Sequence, residues 1–212
     1  NDIIKGKVLQ RGYGKYSLCY KCNNNTGAWY ASHFVKWCHW GMDVLIRSSG
    51  KPTLIYTSNI IPLRVIKQII AIFFSVNGNQ FGPANTELVE FVLNRERKYL
   101  SSKYKIFCYY NWEGGYRSTG LSVIGNTAGR KPIVLSEFSF APYGYVLCLD
   151  SIPPDNRLFE ITHFSRYGYN ELASIALEMK VLPTFLALPG DYRTKEEIID
   201  AYNRNMRIDN TN

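Results

Sequence analysis

Cys19-x2-Cys22, followed by His33, Cys38 and His39, is where metal-ligand residue types crowd together in this 212-residue chain. A two-residue knuckle joined by a later His or Cys pair supplies four sulfur and nitrogen ligands for tetrahedral zinc. Cys19, Cys22, His33 and Cys38 are therefore candidate ligands for a structural zinc ion. The local pattern gives a competing expectation. Tyr16 to Cys22 and Ala28 to Trp37 read as two strands joined by an Asn-rich turn, and strand positions 19 and 22 face opposite ways. On that reading the cysteines are small core residues on a hairpin. Five dispersed cysteines do not form a disulfide framework, so a reducing compartment is expected.

The carboxylates are the second constellation. Asp150 is expected at the end of a strand over 144–150, Glu160 inside a strand over 157–163, and Glu87 in the first turn of a preceding helix. Brought together, they would hold Mg2+ or Mn2+, which activates water and neutralises charge on a phosphodiester. The order helix, strands, Asp, Glu-x-Thr, helix, strand over roughly residues 84–188 is similar to the catalytic core of the PD-(D/E)xK nucleases. That resemblance implies metal-dependent phosphodiester cleavage with Asp150 and Glu160 at the metal. Thr162 stands where that family places its Lys, which leaves Arg157 or Arg166 to orient the attacking water. His163, after a strand, is the best-placed general base for a Cys or Ser nucleophile, but no Gly-x-Ser-x-Gly elbow accompanies it.

Charge points to a polyanionic partner. The chain carries 25 Lys and Arg against 17 Asp and Glu, a formal net charge of +8. Asp2 and Asp43 are the only acids before Glu87, and the basic residues there alternate with rings. Lys15, Tyr16, Lys21, Trp29, Tyr30, Lys36, Trp37, Arg47 and Lys51 are the candidate nucleic-acid-binding residues. Cations release counterions from phosphates, and aromatic faces stack on bases. The leading expectation is a non-enzymatic, aromatic-rich binder of nucleic acid or another polyanion. Abundant Tyr and Trp also suit a surface occupied by protein assembly partners, as in a viral or mobile-element particle. A metal-dependent nuclease is the alternative.

These residues need elements to position them. Short apolar runs between turn signals predict strands near 3–9, 16–22, 28–36, 43–47 and 53–57. Pro62 opens a helix to about 75, residues 77–83 form a loop, and Asn85 or Thr86 caps a second helix reaching Leu100. Period-two alternation then predicts strands near 104–110, 117–124, 132–140, 144–150 and 157–163. Leu172, Ile175, Ala176 and Met179 suggest a helix opened by Asn170, with a last strand over 184–188. Thr194-x-x-Glu197 is a capping box whose helix would bury Ile198, Tyr202 and Met206. The expected fold is α+β, mostly antiparallel, with about four helices. It forms one domain, divisible at 77–83 into a basic β-rich lobe (1–76) and an α+β lobe (84–212). No run reaches the ~18 to 20 apolar residues of a membrane span. An intracellular or virion location without membrane contact is the expectation.

Overall fold

The described residues open with a helix where a β-rich segment was expected. The computed structural model describes residues 18–112, 115–125 and 131–209, the last five as backbone alone. The strand expected at 3–9 lies outside the described residues. From Tyr20 the chain runs through α1 (Tyr20–Thr26), a π turn (Gly27–Ala31) and α2 (Ser32–Arg47). This helix replaces the strands expected at 28–36 and 43–47 and, of the strand expected at 16–22, the part from Tyr20 on; residues 16 and 17 lie outside the described residues. The reason is visible in Tyr30, Phe34, Trp37, Gly41 and Leu45, which recur every three or four residues and are all buried. Packing of that stripe overrides the β propensity of the aromatic residues.

The rest of the architecture follows the expected order more closely. β1 (Thr53–Ile60) leads into α3 (Pro62–Asn77), with Pro62 at its first position. A short α4 (Phe81–Ala84) and α5 (Thr86–Leu93) follow. Next come β2 (Tyr104–Tyr110), β3 (Arg117–Ile124), β4 (Ile133–Phe140) and β5 (Tyr143–Leu149), then β6 (Phe159–Glu160), a 3-10 turn (Thr162–Arg166), β7 (Ala173–Lys180) and α6 (Lys195–Asp209). The fold is α+β with two antiparallel sheets. One is the ribbon β1-β7; the other has the order β3-β4-β5-β2-β6.

Three elements differ from expectation. The predicted helix at 170–179 is strand β7, because Ile175, Leu177 and Met179 alternate inward while Leu172 is exposed. Ile175 and Met179 satisfy both a helical and a strand period, and pairing with β1 decides between them. The strand expected at 157–163 keeps only Phe159–Glu160 before the 3-10 turn, and an irregular strap replaces the strand at 184–188. The capping box holds: Thr194 Oγ1 accepts from Glu197 N at 3.2 Å, and Glu197 Oε2 accepts from Thr194 N at 2.7 Å. Its helix does not bury two of the three residues expected, since Ile198 is half-buried and Tyr202 is 63% exposed; the Met206 side chain lies outside the described residues.

α3 is buried almost all round and is the centre of the molecule. Its Leu63, Ile66, Ile70 and Phe73 join Tyr30 and Trp37 from the first helix and Ile106, Tyr110, Phe138, Tyr143 and Tyr145 from the sheet in one apolar cluster. Residues on both sides of 77–83 share this cluster, and β1 pairs with β7 across the same boundary. Trp37 stacks on Tyr143 at 4.8 Å and donates from Nε1 to Tyr145 Oη at 2.9 Å. Gly41 is required beside it, because a Cβ there would lie 2.1 Å from Tyr143 Oη.

Lys67 on α3 is also buried. Its ammonium donates to the carbonyls of Asn94 and Arg95 at 2.6 and 2.9 Å and faces the Phe91 ring. Those contacts hold the chain where α5 ends at Leu93, short of the expected Leu100.

The opposite face of the sheet carries a smaller cluster of Phe107, Tyr109, Leu135, Val146, Leu158 and Tyr192. Here Arg117 and Glu137 form a fully buried ion pair at 3.0 Å. Glu137 also accepts from Tyr109 Oη and Gly190 N, each at 2.8 Å, while Arg117 donates to the carbonyls of Leu186 and Asp191. The network fastens the 184–192 strap to the sheet.

Candidate nucleic-acid interface

The fold distributes the sequence-predicted interface in a way that weakens it. Tyr30 and Trp37 are wholly buried, so neither ring can stack on a base. Trp29 is half-buried with the Arg95 guanidinium 5.4 Å over its ring. Lys21, Lys36, Arg47 and Lys51 are exposed. On a helix rising about 1.5 Å per residue, Lys21 and Lys36 stand about 22 Å apart and Arg47 about 16 Å further on. Lys15 and Tyr16 lie outside the described residues. Lys51 borders a separate cleft of about 480 Å³ with Trp112, Phe185, Lys195 and Glu196. Arg64, another cation of the acid-poor segment, is structural: it donates to His33 Nε2 at 2.8 Å and to the Tyr169 carbonyl at 2.9 Å.

The proposed zinc set is also dispersed. Cys19 caps α1, and its sulfur accepts from Cys22 N at 3.1 Å. His33 is fourteen residues along the same helix and Cys38 nineteen, hence about 21 and 28 Å away by helical rise. The four residues do not surround one ion. Cys38 is largely buried, which pushes its thiol up to about 12, and burial raises Cys108 well above the ordinary range.

The carboxylates are separated too. The Asp150 amide donates to the Lys103 carbonyl at 2.8 Å, beside the start of β2. Glu160 pairs with Phe107 on the opposite side of β2. Four residues of strand between those rungs span about 13 Å, whereas oxygen ligands of Mg2+ or Ca2+ lie only about 2.0 to 2.6 Å from the ion. Glu87 is exposed on α5 and, like Asp150, interacts electrostatically with Tyr104. Thr162 Oγ1 accepts from Ile106 N at 2.9 Å and anchors the 3-10 turn to β2. The helix that the nuclease resemblance needs before its last strand is β7, and the larger sheet is antiparallel throughout.

Sequence reasoning missed a different basic surface, across one end of the larger sheet. A cleft of about 540 Å³ is lined by Ser102, Lys103, Lys105, Lys131, Asp150 and Ser151. A second, of about 480 Å³, shares Ser102 and Lys105 and continues to Tyr99, Glu160, His163 and Arg166. The lining passes from the start of β4 to the end of β5, the start of β2, and β6 with its 3-10 turn. This is the sheet's own strand order, so the groove crosses about three strand spacings, roughly 14 Å. Lys103, Lys105, Lys131 and Arg166 face two carboxylates, and none of the four is in an ion pair among the described residues. The Lys51 cleft gathers two cations and one acid.

The groove's walls are held in place. Ser151 Oγ accepts from Val134 N at 3.2 Å and donates to Val134 O at 3.0 Å, tying the end of β5 to β4. Tyr99 N donates to Ser165 O at 2.9 Å, and Leu100 N to Ser165 Oγ at 3.3 Å. Tyr99 adopts a positive φ of 60° and is 67% exposed. Burial and the neighbouring Arg166 charge lower the His163 pKa, favouring its neutral form. The signal in the sequence was Lys103-x-Lys105 at a strand start, directly after Ser101-Ser102 and close to Tyr99.

No family model, curated protein or solved structure matches this chain. Among the described residues, no helix is long and apolar enough to cross a membrane.

Proposed function

We propose that the protein binds single-stranded nucleic acid, without cleaving it, in the groove across the end of its larger sheet. The observation that carries this reading is the convergence of four cations, none in an ion pair among the described residues, on two adjoining clefts, with the exposed Tyr99 at one end. Lys103, Lys105, Lys131 and Arg166 would contact successive phosphates, and Tyr99 would stack on a base. A single strand fits this arrangement because its bases are open to stacking. The separation of Asp150 from Glu160 supports binding over metal-dependent cleavage.

The test is fluorescence anisotropy and gel analysis with labelled single-stranded DNA, duplex DNA and RNA, in EDTA, Mg2+ or Mn2+, across a salt series. Three or four phosphate contacts give a slope of log affinity on log salt of about −2 to −3 for single strands. Salt-sensitive binding without shortening is the expected result. Metal-dependent shortening lost in Asp150→Asn and Glu160→Gln would replace the proposal with a nuclease. Neither binding nor cleavage would overturn it in favour of a protein assembly partner.

A further inference from the structure

Cys19 and Cys22 are unlike the other cysteines. Cys19 is exposed and Cys22 half-buried, whereas Cys108 and Cys148 are in the core and Cys38 is mostly covered. The two are neighbours on the first turn, where the Cys22 amide donates to the Cys19 sulfur at 3.1 Å. The surface around the pair is apolar, with no cover among the described residues: Tyr20, between the cysteines, is 85% exposed, and a cleft of about 170 Å³ beside them is lined by Leu18, Phe74, Pro83, Val89 and Leu93.

We propose that Cys19 and Cys22 are half of a four-thiolate zinc site completed by the same pair from a second copy of this chain. Structural zinc takes four ligands, and no group of three or more candidate ligands occurs among the described residues. Residues 1–17 contain neither Cys nor His, and His33 is engaged by Arg64 at 2.8 Å. These residues therefore offer two thiolates, and a two-fold axis through the ion supplies four while bringing two Tyr20 rings and two apolar clefts to one contact. Two-fold pairing of identical patches is the commonest form of homo-oligomer. Charge is also matched. Zn2+ with four thiolates carries −2, and the exposed Lys21 of each copy offsets it. Four S–H protons are released to solvent for each ion bound, with no change in oxidation state.

The experiment uses the full chain, reduced, with zinc added to a slight excess and then removed by gel filtration. Metal content, light-scattering mass and proton release are measured together. The account expects half a zinc per chain, a doubling of mass reversed by chelator, and about four protons per ion. Co2+ in place of zinc should give the intense visible bands of a tetrahedral sulfur site. Cys19→Ser and Cys22→Ser should abolish both metal uptake and dimerisation, with circular dichroism unchanged, while Cys148→Ser should leave both intact. No zinc uptake, or one zinc per chain without a change in mass, would overturn the proposal. This outcome is independent of nucleic-acid binding, because the groove shares no residue with the cysteine pair.

Discussion

Along the helix from Tyr20 to Arg47 the rings of Tyr30, Phe34 and Trp37 are packed into the core, and the exposed cations are spread along the outside. At the end of the five-stranded sheet, Lys103, Lys105, Lys131 and Arg166 gather round two clefts and Tyr99 remains exposed. Both regions look alike as composition, basic residues interleaved with rings. They differ in where the periodicity sends the rings. A stripe spaced three to four residues apart satisfies itself by burial, while a ring held at positive φ outside a strand has nothing in the core to join. A basic-aromatic segment is a binding surface only where the fold leaves both kinds of side chain on the same side.

The largest effect that would break this comparison is at Trp37. Trp37→Ala should cost about 3 to 5 kcal/mol in urea denaturation, and a stable variant that simply bound nucleic acid more weakly would reverse the roles of the two regions. Arg117 and Lys103 sharpen the difference between a cation the fold uses and one it leaves available. Arg117→Met strands the buried Glu137 carboxylate and should also cost about 3 to 5 kcal/mol. Lys103→Met, outside any ion pair, should change stability by no more than about 0.5 kcal/mol.

Binding should separate the regions next. Replacing Lys103, Lys105 and Lys131 together by Ala should flatten the salt slope by about 2, whereas the Lys21, Lys36 and Arg47 triple variant should leave it unchanged. Tyr99→Ala should cost about 1 to 3 kcal/mol of affinity by loss of base stacking, read by titration at fixed salt.

The smallest effect is with pH. His163 is held neutral by burial and by Arg166, so its folded-state pKa lies below the ordinary 6.5. Between those two values the unfolded chain binds more protons, and stability falls as pH drops through that window. Protonation also adds a cation to the groove, so affinity for the polyanion should rise over the same window. Thermal melts and anisotropy from pH 7 downward, with His163→Asn as the control, should show these opposite trends.

Much of the architecture was legible where one period dominated. The Pro62 helix, the strands from Tyr104 to Leu149 and the Thr194 capping box need no tertiary information. The failures share a cause. Tyr30, Phe34 and Trp37 are strong strand formers by type, and only their spacing marks a helix. Ile175 and Met179 fit either period, and β1, more than a hundred residues earlier, decides between them. The groove was hidden for a related reason. Its lysines come from the starts of β2 and β4, which face one groove only after β5 has paired with both in the order β4-β5-β2, and no local window contains them. The cysteine pair was visible as a motif, but the partners assigned to it, His33 and Cys38, lie further along the same helix, which also replaces the hairpin expected in their place.

The most direct test of the central claim is photo-crosslinking of the protein to a single-stranded oligonucleotide carrying a photoreactive pyrimidine, followed by mass spectrometry of the crosslinked peptides. The account predicts adducts on Tyr99 and on the peptides that contain Lys103, Lys105 and His163, competed away by unlabelled single strand and weakened by salt. Adducts confined to residues 18–51, with the sheet-end peptides unmodified, would contradict it and return the interface to the first helix.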